Sequence, residues 1–225
     1  NHFEFMITDL KFNIRSKMNL DPNMNSDIVL VAIDDESKVK SGYENIWPYS
    51  YYSQSIKKIT DGNPSTIGLD IIFTNTNDTI GWSDLIYELE ASYKAINPYV
   101  AIIGGKEFLI DTKMHIHNIN EIIFDKLPVV GLQDYNHFVD LLYLPDIDVL
   151  DVSSGLGFVN IKNDSDGKLR RLPIVGELDG KLVPHFCLKL ISEHLKYDLN
   201  NVELVNRYKL LMHNFPILNE TKTVE

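Results

Sequence analysis

Cysteine is nearly absent from this chain. Cys187 is the only one in 225 residues, so no disulfide can close within it. That is a weak sign of a reducing compartment and excludes no oxidising one. Positive charge is scarce as well: 21 Lys and Arg stand against 32 Asp and Glu, a formal charge of -11. A surface this acidic lacks the clustered cations that hold phosphates, which argues against nucleic acid as a partner, and anionic lipid headgroups would repel it. No run of 18 apolar residues occurs, so nothing reads as a membrane span. The first residues show neither the basic n-region nor the apolar h-region of a signal peptide. Gly-x-Gly-x-x-Gly, P-loop, Gly-x-Ser-x-Gly and Cys-x-x-Cys patterns are all missing, as are internal repeats and low-complexity tracts. The chain begins at Asn1 rather than Met, and its end at residues 219–225 looks cut. Both fit a piece excised from a longer protein.

What is present is a hydrophobic content of 44%, enough for a sizeable core. The organising stretch runs from Ile28 to Phe73. Ile28-Val29-Leu30-Val31-Ala32-Ile33 is short, apolar and rich in β-branched residues, the pattern of a strand buried on both faces. It ends in the acidic turn Asp34-Asp35-Glu36-Ser37. Trp47-Pro48 then opens a helix with Tyr52, Ile56 and Ile59 on one face, stopped by Asp61-Gly62-Asn63-Pro64. Thr66 to Phe73 reads as a second buried strand. The three pieces make a βαβ unit, which implies a parallel sheet.

Before this unit, Phe3, Ile7, Leu10 and Ile14 fall at helical spacing on one stripe. Three readings of that helix stand side by side: packing on its own domain, continuation of a membrane helix, or a dimer seam. Asn19 to Asp27, with Pro22, reads as a linker. After the unit, Ser83 is an N-cap candidate for a helix bearing Leu85, Leu89, Tyr93 and Ile96 and ending before Pro98. Tyr99 to Ile103 predicts a third buried strand, closed by Gly104-Gly105. In the poorly patterned stretch 106–153, Pro128 to Leu132 suggests a strand, and Tyr143 to Asp151 suggests an irregular loop. A hairpin is predicted from Leu156–Ile161 and Leu169–Val175 around the turn Asn163-Asp164-Ser165-Asp166-Gly167. Asp179-Gly180 predicts another turn. Pro184 precedes a helix with Phe186, Leu190, Ile191 and Leu195. The fold class is therefore α/β: a central parallel-to-mixed sheet flanked by helices, with a long N-terminal helix and a late β-hairpin.

Several residues invite a chemical reading. Asp34 and Asp35 end the first predicted strand, and Asp70 lies in the second, at the edge where open α/β sheets bind ligands. Paired carboxylates there suit a metal or acid–base work. The alternative of a metal-dependent hydrolase or phosphatase rests on these three. Against it, Asp34-Asp35-Glu36-Ser37 does not follow the motifs of such enzymes, and an aspartate at this place commonly caps a loop or helix. Asp164 to Gly167 resembles part of a calcium loop, but Lys162 and Pro173 occupy its first and twelfth positions, so a turn is the better reading. His115 and His117 would share a strand face without a third zinc ligand. Of Arg170 and Arg171, only one can face a pocket. Trp47 suits either a core plug or the wall of a sensor pocket. No cofactor and no catalytic residue emerges.

Taken in order, Asp27 to Ser37, Trp47-Pro48-Tyr49 and Ile67 to Phe73 carry a resemblance. Leu156-Gly157-Phe158-Val159-Asn160, Asp164 to Gly167 with Arg170-Arg171-Leu172-Pro173, and Val183-Pro184 extend it. Together they resemble the CHASE domain of the second type, an extracytoplasmic sensor module of bacterial receptors. Glu4 and Asp9-Leu10-Lys11-Phe12 are similar to the juxtamembrane helix that follows the first membrane span in that family. The resemblance implies residues 1–20 as that helix, 27–218 as one sensor domain and 219–225 as a cut end. It implies flanking membrane helices, a cytoplasmic output such as a nucleotide cyclase or histidine kinase, a homodimer, and placement on the extracytoplasmic face of the membrane. Where many members carry a second aromatic and then an arginine, this chain has Tyr49-Ser50. An unidentified small-molecule ligand would sit at the carboxyl edge of the strands, bordered by Asp34, Asp35, Trp47 and Asp70, with Asn160 and Arg170 reaching it.

Overall fold

A computed structural model of the chain describes residues 2–21, 25–43, 47–75, 79–103, 137–178, 181–206, 209–217 and 220–224. His115 and His117, Gly104-Gly105, the strand expected at Pro128–Leu132 and the Asp179-Gly180 turn lie outside them. The chain divides into two compact units, Asn1–Ile46 and Trp47–Glu225.

The first unit holds helix α1 (His2–Lys17) and helix α2 (Asp35–Ser41). The expected N-terminal helix is present, and its end is well made. Asn19 takes a left-handed φ of 53°, Leu20 N–H donates to the Arg15 carbonyl at 2.9 Å, and Asn19 N–H donates to the Ser16 carbonyl at 3.0 Å. This paired closure satisfies carbonyls that the last turn leaves open. The expected strand Ile28–Ile33 does not form. Its residues join no ladder among the described residues, and Val29 and Leu30 are 81% and 85% exposed. β-Branched composition favours extended backbone, but a strand exists only where a neighbour supplies the other half of its hydrogen bonds. The acidic turn after it is instead the start of α2.

In the second unit, α3 (Tyr49–Asp61) follows Trp47-Pro48 as expected. It ends at Gly62, with Asn63 next in the left-handed region at φ 50°. β1 (Ile67–Gly68) is short, and the chain continues extended to Phe73 with Leu69 N–H bonded to the Ile96 carbonyl. α4 (Thr79–Ser92) starts before Ser83 and stops sooner than its expected stripe. Leu85 and Leu89 are fully buried, but Tyr93 is exposed at φ 51° and Ile96 belongs to β2 (Ala95–Ile103). The reason is local: Ser92 Oγ donates to the Leu89 carbonyl, and Tyr93 turns the chain out of helical space.

Pro98 lies inside β2 rather than before it. Lys94 and Ile96 direct their carbonyls to β1, so the nitrogen of Pro98 falls on that same side. Pairing with β1 stops at Ile96, so the missing N–H costs no ladder bond there. β2 pairs in parallel with β1 on one side and with β4 (Gly155–Phe158) on the other. Further along, β2 pairs antiparallel with β3 (His137–Tyr143), with register shifts after Val100 and Ile102. α5 (Ile147–Val152) lies where an irregular loop was expected.

The turn at Asp164–Lys168 forms, but its two arms do not pair. β4 goes to β2, while β5 (Val175–Leu178) pairs with β3 and with β6 (Lys181–Pro184). The late hairpin is therefore β5–β6. α6 (Phe186–Leu195) follows, and a 3-10 turn at Leu199–Asn201 leads to a separate three-stranded sheet: β7 (Val202–Asn206), β8 (Lys209–Ile217) and β9 (Glu220–Val224). The fold is α/β with a mixed sheet.

Alternation along β1 sorts its two faces. Ile67, Leu69 and Phe73 join Tyr49, Ile56, Trp82, Leu85, Leu89, Ala95 and Val149 in one core under α3, α4 and α5. Each fully buried leucine there contributes roughly 2 kcal/mol. The opposite face is built for close approach of α6. A Cβ on Gly157 would strike the Phe186 backbone, and one on Gly155 would strike the Lys189 side chain. A third cluster, with Val175, Leu182, Leu188, Tyr197 and Val202, joins α6 to the last sheet.

Candidate functional site

α3 runs back along the sheet, so its N-terminus stands at the carboxyl edge of β1. Two contacts fix that placement: the Tyr49 hydroxyl donates to the Thr74 carbonyl, and the Tyr52 ring meets Phe73 edge-on at 5.2 Å. Trp47 sits at 5.7 Å from Tyr51 and 6.0 Å from Tyr52. Tyr49 in turn packs edge-on against Trp82 at 4.9 Å, and Trp82 Nε1 donates to Asp148 Oδ2 at 2.8 Å. The edge is thus walled by aromatic rings from α3, α4 and the end of β1. Burial raises the Tyr52 phenol above its ordinary pKa, so it stays a neutral hydroxyl. Trp47 Nε1 is shielded from water and has no hydrogen-bond partner among the described residues. Such a wall suits apolar or planar molecules.

The sequence pointed to Trp47 and missed Tyr49, Tyr52, Trp82 and Asp148. Spacing could have found part of this, since Tyr49 and Tyr52 lie at i, i+3 on one helix. The Trp82–Asp148 bond spans 66 residues and left no local signal.

Asp70 is exposed, just past β1. Asn160 and Arg170 commit their polar atoms to the fold. Asn160 accepts from Ala101 N–H at 2.9 Å and donates to the Ala101 carbonyl at 2.7 Å, so its amide extends the β4–β2 ladder by one step. Arg170, with a side chain 6% exposed, bonds Asp164 at 2.9 Å and Asp166 at 2.7 Å across the turn. That guanidinium holds the Asp166 carboxyl at a pKa of about 2. The turn that resembled part of a calcium loop is thus closed by an arginine.

Within the first unit, Asp34 is the N-cap of α2. Its Oδ1 accepts from Ser37 N–H at 2.8 Å and from Ser37 Oγ at 2.6 Å, and these bonds hold its carboxyl below the usual range. Asp35 lies in the first turn, where the helix dipole favours it, and pairs loosely with Lys38 at 3.4 Å. Glu36 pairs with Lys40 at 2.6 Å, and Gly42 closes the helix at φ 75°. α2 carries a cap, acidic first turn, basic last turn and closing glycine. It escaped notice because it has no apolar stripe. Among the described residues, no three His, Cys, Asp or Glu side chains are grouped to hold a metal ion.

The CHASE2 domain family matches residues 1–223, essentially the entire chain. The chain belongs to the CHASE2 domain family. This is a family of extracellular sensor domains, not of catalysts, so the CHASE2 domain here has a sensor role. No curated protein and no solved structure matches it. The CHASE2 match includes α1 as well as the α/β body.

Proposed function

We propose that this CHASE2 domain is the extracytoplasmic sensor of a bacterial transmembrane receptor. A bound small molecule would shift its exit toward a cytoplasmic output such as a nucleotide cyclase or histidine kinase, and the receptor would work as a homodimer. The observation that carries the reading is the family match across residues 1–223. Support for the place of binding comes from the aromatic wall of the second unit, with Trp47 at its rim. A ligand acts here only by binding one of two states better than the other.

The chain has two tryptophans, Trp47 and Trp82, which makes fluorescence selective. Small-molecule libraries are screened by thermal shift, and hits are titrated into Trp47→Phe and Trp82→Phe. A ligand of the wall changes emission in Trp82→Phe, where Trp47 reports, and binds Trp47→Phe more weakly. If hits raise the melting temperature yet leave Trp47 emission and the Trp47→Phe affinity untouched, the binding place lies elsewhere.

A further inference from the structure

On α1, Phe3, Ile7, Leu10 and Ile14 are exposed at 74%, 37%, 57% and 47%. Their spacing of four, three and four is the d-a-d-a order of a heptad. Their identities are more informative than their spacing. Both a positions, Ile7 and Ile14, are β-branched, and Leu10 holds the d position between them. β-Branched a with leucine at d is the combination that favours two parallel strands over three or four. The flanks agree with it: the e positions carry Glu4 and Lys11, and the facing g positions carry Met6 and Asn13, so no like charges oppose.

Two further observations bear on the seam. Among the described residues of the first unit, no large hydrophobic side chain is buried. On the helix side away from the seam, the Arg15 guanidinium lies 4.8 Å from the Phe12 ring centre, and Phe12 stays 51% exposed. Arg15 is itself held by Asp21 at 2.8 Å. A helix of 16 residues is marginal in water without a partner for its apolar stripe.

We infer that the stripe is the seam of a parallel two-stranded coiled coil, and that its occupant is α1 of a second copy of this chain. This deepens the homodimer reading above by naming its interface. The two copies meet in register, Ile7 on Ile7 and Leu10 on Leu10. Four seam residues per helix make a small interface, so the pairing of the isolated domain is concentration-dependent.

The test uses the 225-residue chain with Cys187→Ser, which removes its only thiol. Leu10→Cys places a thiol at d, and Thr8→Cys places one at b, away from the seam. Under copper-phenanthroline, Leu10→Cys should form reducible dimer at least about tenfold faster than Thr8→Cys, because only facing seam positions bring Cβ atoms near bonding range. Mixing tagged Phe3→Cys with untagged Ile14→Cys should give homodisulfides. Preferential 3–14 heterodisulfide would mean antiparallel pairing and would overturn the proposal, as would equal rates for Leu10→Cys and Thr8→Cys. Sedimentation velocity covers the case in which a cysteine disturbs the seam. The unmodified chain should dimerise as concentration rises and Ile7→Asp should not, with both keeping the same urea midpoint; a chain that stays monomeric throughout also overturns it. A domain that cross-links but binds nothing would sink the small-molecule reading alone. One that binds ligand as a monomer would sink the seam alone.

Discussion

Ile28–Ile33 and Ala95–Ile103 are runs of similar character, apolar and rich in isoleucine and valine, yet they end in opposite conditions. Ala95, Ile96 and Tyr99 are fully buried in β2, with β1 and β4 paired on either side. Val29 and Leu30 are exposed and join no ladder among the described residues. The contrast extends to the two units. Every buried large hydrophobic among the described residues lies in the second, from Tyr49 to Val202. The first is held by caps and surface ion pairs, which contribute little each. The lesson is that apolar composition states a demand for burial, and only a partner at the right place meets it.

The comparison breaks most readily at the centre of the second unit. Phe158→Ala removes a fully buried ring and should cost about 3–5 kcal/mol in urea unfolding, whereas Val31→Ala in the first unit should stay within roughly 0.5 kcal/mol. A comparable loss in both would show that the exposed run is covered in solution. Next in size is Gly157→Ala. Its Cβ would press on the Phe186 backbone, and forcing α6 off the sheet should cost about 1–3 kcal/mol. Gly42→Ala, in open space, should show only the strain of its φ of 75°.

A smaller effect follows pH. His185 caps α6 by accepting Cys187 N–H on Nδ1 at 3.1 Å, and burial lowers its pKa. The unfolded chain then takes up a proton that the folded one resists. Stability should be full above the ordinary histidine value of about 6.5 and fall as pH drops from there toward the lowered folded value. His185→Asn keeps a cap without the titration, so its urea midpoint should lose that slope between neutral and mildly acid pH. An unchanged slope would assign it to another group. The smallest effect belongs to Asp34→Ala, which uncaps α2. Hydrogen exchange at Ser37 should quicken several-fold while the global unfolding midpoint of the second unit stays put. A large global shift would mean that the cap supports more than its own helix.

Much of the architecture was legible in the residues. The N-terminal helix, the Trp47-Pro48 helix start, the stop at Asp61–Pro64 and the turn at Asp164–Gly167 all follow local rules of spacing, caps and turn residues. The candidate site was legible only at Trp47, in the Trp47-Pro48 helix start. Asn160 and Arg170 were marked as residues that reach the ligand; in the structure Asn160 bonds the Ala101 backbone and Arg170 closes a turn. Composition does not distinguish a side chain that binds a ligand from one that binds its own backbone.

The order of motifs from Asp27 to Pro184, readable without any coordinates, determined the CHASE2 family and the α/β class, because caps, turns and apolar periods are short-range. Tertiary structure alone decided where strands exist. β1 shrank to two residues, β2 ran through Pro98, the hairpin moved to β5–β6, and Ile28–Ile33 joined no ladder among the described residues. A helix closes its hydrogen bonds within one segment, whereas a strand borrows half of them from residues far away in the chain.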